Sequence, residues 1–234
     1  MGDDMKKFYK IVVIISYLLS LFILLFCIKI RLTSNLNINP NFRLILLLIV
    51  CILIYIAGFI LVKKLDYSKK ILKINLVIYV LIYTVTIFML TLFDELYGRR
   101  GLVLIEWDSK LIKSYIKYSF NIVPFTTVKL FINGYNNGLV SFKDFLINIV
   151  GNLCAFMPYA LFLPLIFKRM EKYKNFFIVM IIIVAIIEIL QFITMSGSCD
   201  IDDLILNVAG ASLVYFICKI SFIRKIIYKV FFLE

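Results

Sequence analysis

Six runs of about 20 apolar residues recur along this chain, near residues 9–28, 43–62, 74–93, 145–167, 176–195 and 201–218, with charge confined to short clusters between them. A helix needs roughly 20 residues to cross a ~30 Å hydrocarbon core. In lipid every backbone N–H and C=O must be satisfied within the protein, which leaves helices or closed barrels. Continuous apolar runs of this length predict an all-α, polytopic transmembrane helical bundle of about six transmembrane helices, with an external interfacial segment. A hydrophobic fraction of 63% excludes an ordinary soluble domain. The formal net charge of +12 does not point to nucleic acid, because Lys and Arg sit mostly between the apolar runs, where they orient helices and meet anionic lipid head groups.

The basic clusters set a direction. Lys63, Lys64, Lys69, Lys70 and Lys73 fill the second connection, and Lys168, Arg169, Lys172 and Lys174 the fourth, so both are expected on the cytoplasmic side. Residues 196–200 carry no Lys or Arg and are expected outside. Lys6, Lys7 and Lys10 precede a first run that lacks a small-residue cleavage site, so it is expected to stay as a transmembrane helix, with both termini cytoplasmic. The resulting organisation is an N-terminal three-helix membrane region at 1–93, an external connection at 94–144, a three-helix core at 145–218 and a basic amphipathic cytoplasmic tail at 219–234. Within the external connection, Lys110, Lys113 and Lys117 recur at helical spacing opposite Leu111, Ile112, Tyr115 and Ile116, which predicts a surface helix. A Pro-bearing turn follows at 121–125, and Asn133, Gly134, Asn136, Asn137 and Gly138 suggest a second turn and loop region.

The absence of His removes Ser-His-Asp triads and His-containing zinc sites. The five cysteines are scattered, so no disulfide or metal framework follows from them. Polar residues inside the apolar runs are the informative ones, since an ionisable group at membrane depth costs about 2.5–3.5 kcal/mol on insertion scales. Glu188, Asn152 and Asn207 fall at one level under the expected outer face, with Gln191, Asn148 and Asp203 as a shallower tier. Asn148 with Asn152 and Asp203 with Asn207 are spaced i, i+4, and Glu188 with Gln191 i, i+3, so each pair shares a helix face. Gly151 and Gly210 beside these faces would allow close helix approach, and Pro158 and Pro164 would free backbone carbonyls. Asp200, Asp202 and Asp203 then form the rim of an outward-facing polar cleft. Simpler roles stay open: the amides serve equally as interhelical hydrogen-bond partners, Glu188 as a neutral core acid, and Asp200 as a helix N-cap. Asp202 and Asp203 are more acid than a cap requires.

These residues resemble the VanZ-like family, membrane proteins named for a protein associated with teicoplanin resistance in Gram-positive bacteria. The resemblance spans 121–215. It rests on Asn121-Ile-Val-Pro124-Phe125, on Asn148 through Gly151-Asn152 to Pro158 with Pro164 after it, on Glu188-Ile-Leu-Gln191, and on Asp200-Ile-Asp202-Asp203 continuing to Asn207 and Gly210. The chain departs from the family pattern at Ala160, where Gly is frequent, and at Gly197, Ser198 and Cys199, where an Arg often precedes the acidic run. Without that Arg the carboxylates must be balanced by Arg99, Arg100, a cation or protonation.

The leading reading is a bacterial cell-envelope membrane protein of VanZ-like type that binds or alters access to an envelope ligand, with a lipid-linked envelope precursor or a lipoglycopeptide as the partner class; the resemblance implies teicoplanin resistance through the family name and does not supply a mechanism. The functional cluster expected is Asn121, Pro124, Asn148, Asn152, Glu188, Gln191, Asp200, Asp202, Asp203 and Asn207. One alternative is an enzyme on lipid-linked head groups in which Asp200, Asp202 and Asp203 hold Mg²⁺ or Ca²⁺, since such hard cations take oxygen ligands. Another is a cation-coupled transporter using Glu188, although no internal repeat supports it. Binding is preferred over catalysis because no nucleophile stands out and the acidic run lacks a metal-loop spacing.

Overall fold

The computed structural model describes residues 2–32, 40–93 and 109–232. Its elements are α1 (Asp3–Leu32), α2 (Pro40–Lys63), α3 (Lys70–Phe93), α4 (Ser109–Ser119), β1 (Phe120–Asn121), α5 (Thr126–Asn136), α6 (Phe142–Leu146), a π-helical turn (Ile147–Gly151), α7 (Asn152–Ala155), α8 (Met157–Ile166), a 3-10 turn (Lys168–Glu171), α9 (Tyr173–Ile193), β2 (Cys199–Asp200), α10 (Ile201–Lys219) and α11 (Ser221–Val230). Six stretches are helical, long and apolar enough to span a membrane: Asp3–Lys29, Phe42–Lys63, Lys70–Leu92, Phe142–Ile166, Tyr173–Ile193 and Ile201–Lys219. Leu18, Phe22, Leu48, Ile182 and Ile189 lie exposed along them. So much outward apolar surface is solvated by hydrocarbon rather than water, and the chain is a multi-pass membrane protein of helices, as its sequence predicts.

The chain divides into two compact units, Met1–Tyr79 with Tyr228–Glu234, and Val80–Ile227. In the first, Val13 of α1 packs with Ala57 and Ile60 of α2. Polar contacts add direction to this apolar packing. Tyr17 donates its hydroxyl to Asn75 Oδ1 at 3.1 Å, and Asn75 Nδ2 donates to the Ile54 carbonyl at 3.2 Å. Such pairs matter in lipid, where apolar contact alone gives helices little reason to prefer each other over solvent.

The second unit is organised around α10, which touches α7, α8 and α9. Val208, Ala211 and Tyr215 of α10 share a buried core with Phe156, Tyr159, Leu163, Phe176, Met180 and Val184. Tyr215 stacks on Phe176 with ring centroids 4.7 Å apart. Gly210 lets α10 press against α7, because a Cβ at that position would overlap the Leu153 backbone carbonyl. Gly151 has no such role: a Cβ there would meet only the Leu146 carbonyl, at an ordinary 3.9 Å.

The fourth span is not one regular helix over 145–167. It opens with α6, widens through the π-helical turn, resumes as α7 and breaks at Phe156 before α8. Pro158 in the first turn of α8 and Pro164 inside it account for the later irregularity, since neither can donate a helical hydrogen bond. The Ala155 carbonyl at the break is taken up by the Tyr83 hydroxyl. Tyr159 also donates its hydroxyl to Thr84 Oγ1 at 2.8 Å, so this stretch of α3 serves the irregular span.

A second correction concerns Asn133, Gly134 and Asn136, which lie within α5 rather than in a loop. The turn comes after them, where Asn137 N–H donates to the Asn133 carbonyl at 2.9 Å, Leu139 N–H to the Gly134 carbonyl at 2.8 Å, and Gly138 adopts φ +70°. Local propensity is weak for helix here, with two glycines and three asparagines in six residues. The N-terminus of α5 is capped from outside the segment, as described below, and that decides the outcome. The amphipathic helix expected in the tail is present as α11, with Arg224, Lys225 and Lys229 exposed.

The contrast between the two glycines is testable. Gly210→Ala is expected to destabilise the folded protein by about 1–3 kcal/mol through overpacking against α7. Gly151→Ala should be neutral or mildly stabilising, because it places a better helix former in open space. Thermal unfolding of both variants in one detergent checks the pair, and equal midpoints would refute the close contact.

Candidate functional site

The polar residues singled out in the sequence gather at the N-terminal end of α10. Asp200 is the N-cap of that helix: its Oδ1 accepts from Asp202 N–H at 2.9 Å. The same oxygen accepts from Asn121 Nδ2 at 2.9 Å, and Oδ2 accepts from the Thr127 hydroxyl at 2.5 Å. Asp200 N–H in turn donates to Glu188 Oε2 at 3.2 Å, which brings the end of α9 into the cluster. β1 and β2 form a short parallel pair with Asn121 opposite Asp200, so backbone pairing fixes the register of these side-chain contacts.

Asp202 points elsewhere. One oxygen accepts from Phe125 N–H and the other from Val128 N–H at 3.0 Å, so its carboxylate sits on the N-terminus of α5. Those first-turn donors have no partners within their own helix, and the dipole there favours negative charge. Asp202 is only 1% exposed. The desolvation of a buried carboxylate is offset where its lone pairs are filled by aligned N–H groups. The cap also holds Phe125 at φ +65°, a left-handed conformation costing roughly 1–2 kcal/mol for a residue with a side chain. Pro124 precedes it, exposed, and sets the turn.

Asp203 faces the fourth span, where Asn152 Nδ2 donates to its Oδ1. Asn207, one turn further, donates its Nδ2 to the Asp203 carbonyl at 2.7 Å, and its own Oδ1 is buried without a hydrogen-bond partner among the described residues. Gln191 is buried and donates to the Thr91 carbonyl at 3.0 Å, a contact with α3. Asn148 is partly exposed and donates to the Asp144 carbonyl at 2.8 Å within its own span. Asn121, Glu188, Asp200 and Asp202 thus form one network. Asn152, Asp203 and Asn207 form a second, contiguous along α10, while Gln191 bonds to α3, Asn148 bonds within its own span and Pro124 is exposed.

Each helical residue turns the side chain by about 100°, so Asp202 and Asp203 meet different neighbours. Asp200, the N-cap, meets Asn121 of β1 and Thr127 of α5, Asp202 the N-terminus of α5, and Asp203 Asn152 of α7. Accordingly, no group of three His, Cys, Asp or Glu side chains among the described residues is arranged to hold a metal ion, the set Asp200, Asp202 and Asp203 included. The partners of Asp200 and Asp202 are neutral donors: an amide, a hydroxyl and backbone N–H groups. Arg99 and Arg100, considered above as counter-charges, lie outside the described residues.

Thr127, the Phe125 and Val128 N–H groups and the Thr91 carbonyl join the site without being conspicuous in the sequence. A signal was available for the first three. Asn121 Oδ1 accepts from Val123 N–H at 3.1 Å in an Asx turn, and Pro124 followed by Thr126 and Thr127 is a helix-start pattern. Cys199 lies in the connection beside this cluster. Burial pushes its thiol above the ordinary range, and the Glu188 and Asp200 carboxylates push it the same way, so it is held as a poor nucleophile.

Asp202→Ala is expected to leave two N–H groups of α5 unpaired, at about 1–3 kcal/mol each. Hydrogen exchange over residues 123–136 should accelerate in this variant, with Asp202→Asn falling between it and wild type. Unchanged exchange would refute the cap. Alkylation of Cys199 is expected to require more alkaline pH than a free thiol needs, and Glu188→Gln should move the midpoint down by removing a like charge; no movement would count against the proximity of the two groups.

Comparison with known proteins extends the likeness beyond the motif residues. The family model VanZ/LLP1 matches residues 76–224, and so takes in the part of α3 that bonds Ala155, Tyr159 and Gln191. No curated protein and no solved structure matches the chain. With the match covering the whole polar cluster, the last three spans and most of α3, the chain belongs to the VanZ/LLP1 family.

Proposed function

We propose that this protein works in the bacterial cell membrane as a binding protein for an envelope ligand, and that it contributes to protection against lipoglycopeptides such as teicoplanin. The ligand site is the wall formed by Asn152, Asp203 and Asn207, with Glu188 behind Asp200. The observation that carries this reading is the Asn207 carbonyl oxygen, which is buried and unpartnered one helical turn from Asp203. A buried acceptor left unpaired costs about 1–3 kcal/mol, and such exceptions mark strain, catalysis, or the place of a water, ion or ligand. A hydroxyl, amide or ammonium group of a ligand would satisfy it. The adjoining π-helical turn at Ile147–Gly151 supports the same place, since π-bulges are frequent at functional sites.

Charge distribution favours an outward-facing site. The clusters Lys63 to Lys73 and Lys168 to Lys174 flank the cytoplasmic ends of their spans, and the uncharged connection before Asp200 then lies outside, with both termini inside. A hydrogen-bonding site open to that side suits lipid-linked precursors and lipoglycopeptides, which are rich in amide and hydroxyl groups. Gram-positive bacteria, where the wall precursor is exposed on the outer face of the membrane, are the setting in which such binding would matter.

The test is a deletion strain complemented with wild type, Glu188→Gln or Asp203→Asn at matched membrane abundance. Both variants keep an oxygen acceptor for Asp200 N–H or Asn152 Nδ2, so these two contacts are retained while a charge is lost. Losing one charged hydrogen bond weakens binding on the order of tenfold. The expected result is a teicoplanin inhibitory concentration that falls toward that of the deletion strain, and wild-type values for both variants would overturn the proposal.

A further inference from the structure

α5 is held at its N-terminus by Asp202 and Asp200, and its Thr127, Val128 and Phe131 are half-buried. Its other side is open. Lys129, Leu130, Asn133 and Asn137, spaced along one stripe of the helix, join Leu139 and Val140 to line a groove of about 560 Å³. Among the described residues of that lining Lys129 is the one that carries a charge, and it is exposed. The walls are apolar and bare, with Leu130 at 61% and Leu139 at 83% exposure.

The groove adjoins the bilayer-crossing part of the protein. Only Ser141 separates Val140 from Phe142, where the fourth span begins. Tyr135 of α5 stacks on Phe145 of that span with centroids 5.4 Å apart, and Gly134 lets Val140 lie directly on the helix. Tyr135 and Phe142 are the aromatic residues expected at the head-group level. The combination of one cation, two side-chain amides and an exposed apolar wall running into a span matches a lipid with a negative head group and not a wholly apolar or wholly soluble molecule.

We propose that this groove binds an anionic membrane phospholipid. Lys129 faces the phosphate as a point charge, Asn133 and Asn137 supply amide donors to the phosphate and glycerol oxygens, and an acyl chain lies over Leu130 and Leu139 toward the fourth span. The inference rests on the membrane-protein assignment and is independent of the ligand proposed at Asp203.

The full-length protein, purified in detergent and exposed to equal amounts of phosphatidylglycerol and phosphatidylcholine, tests it by native mass spectrometry. Wild type is expected to retain phosphatidylglycerol about fivefold over phosphatidylcholine, the effect of one lysine near an anionic head group. Lys129→Glu should abolish that preference, Lys129→Arg should keep it, and Lys143→Glu, outside the groove lining, should leave it intact. An unchanged preference in Lys129→Glu, or an equal loss in Lys143→Glu, would overturn the proposal. So would displacement of the lipid by inorganic phosphate, which would make the groove a free-anion site.

Discussion

The buried carboxylate of Asp202 on the N-terminus of α5 is the interaction on which the second unit's polar architecture depends. A helix start needs acceptors for its first N–H groups, and a buried carboxylate needs donors. Each solves the other's problem across a sequence distance of more than seventy residues. Asp200 extends the same logic, capping its own helix while receiving Asn121 and Thr127, so that the starts of α10 and α5 are pinned by two acids spaced two residues apart.

Among the described residues, Asp200 and Asp202 sit where the family often has an Arg nearby, and the partners of their carboxylates carry no formal charge. Those partners are oriented neutral dipoles: an amide, a hydroxyl and backbone N–H groups. Charge-assisted hydrogen bonds are stronger than neutral ones, and several aimed at one carboxylate can replace an ion pair. The acids are thereby drawn into structure. Asp203 takes the amide of Asn152, and one turn further along α10 the side-chain oxygen of Asn207 has no hydrogen-bond partner among the described residues.

Much of the cluster's membership was legible in the sequence, because a carboxylate or amide inside an apolar run is conspicuous and helical spacing assigns it a face. Asn121, Glu188, Asp200 and Asp202 do meet, as do Asn152, Asp203 and Asn207. The directions of the three acids were not legible. Asp202 is separated from Asp203 by one residue step, yet they serve different helices, and only the positions of α5 and α7 reveal which. Thr127 went unnoticed because a threonine at a helix start is ordinary until a buried acid is found beside it.

The sequence by itself determined the solvent and the secondary structure of the spans: long apolar runs leave the backbone no partner but itself, so they are helices in lipid, and their boundaries agree with the structure to within a few residues at most ends. It also determined the family, through residues whose spacing survives in one dimension. The tertiary structure decided where the chain is irregular. The fourth span tolerates a π-helical turn and a proline break because Tyr83 and α10 supply contacts from elsewhere, and α5 is a helix because Asp202 caps it. Those outcomes depend on groups far apart in sequence, and local propensity carries no information about a partner that only folding brings near.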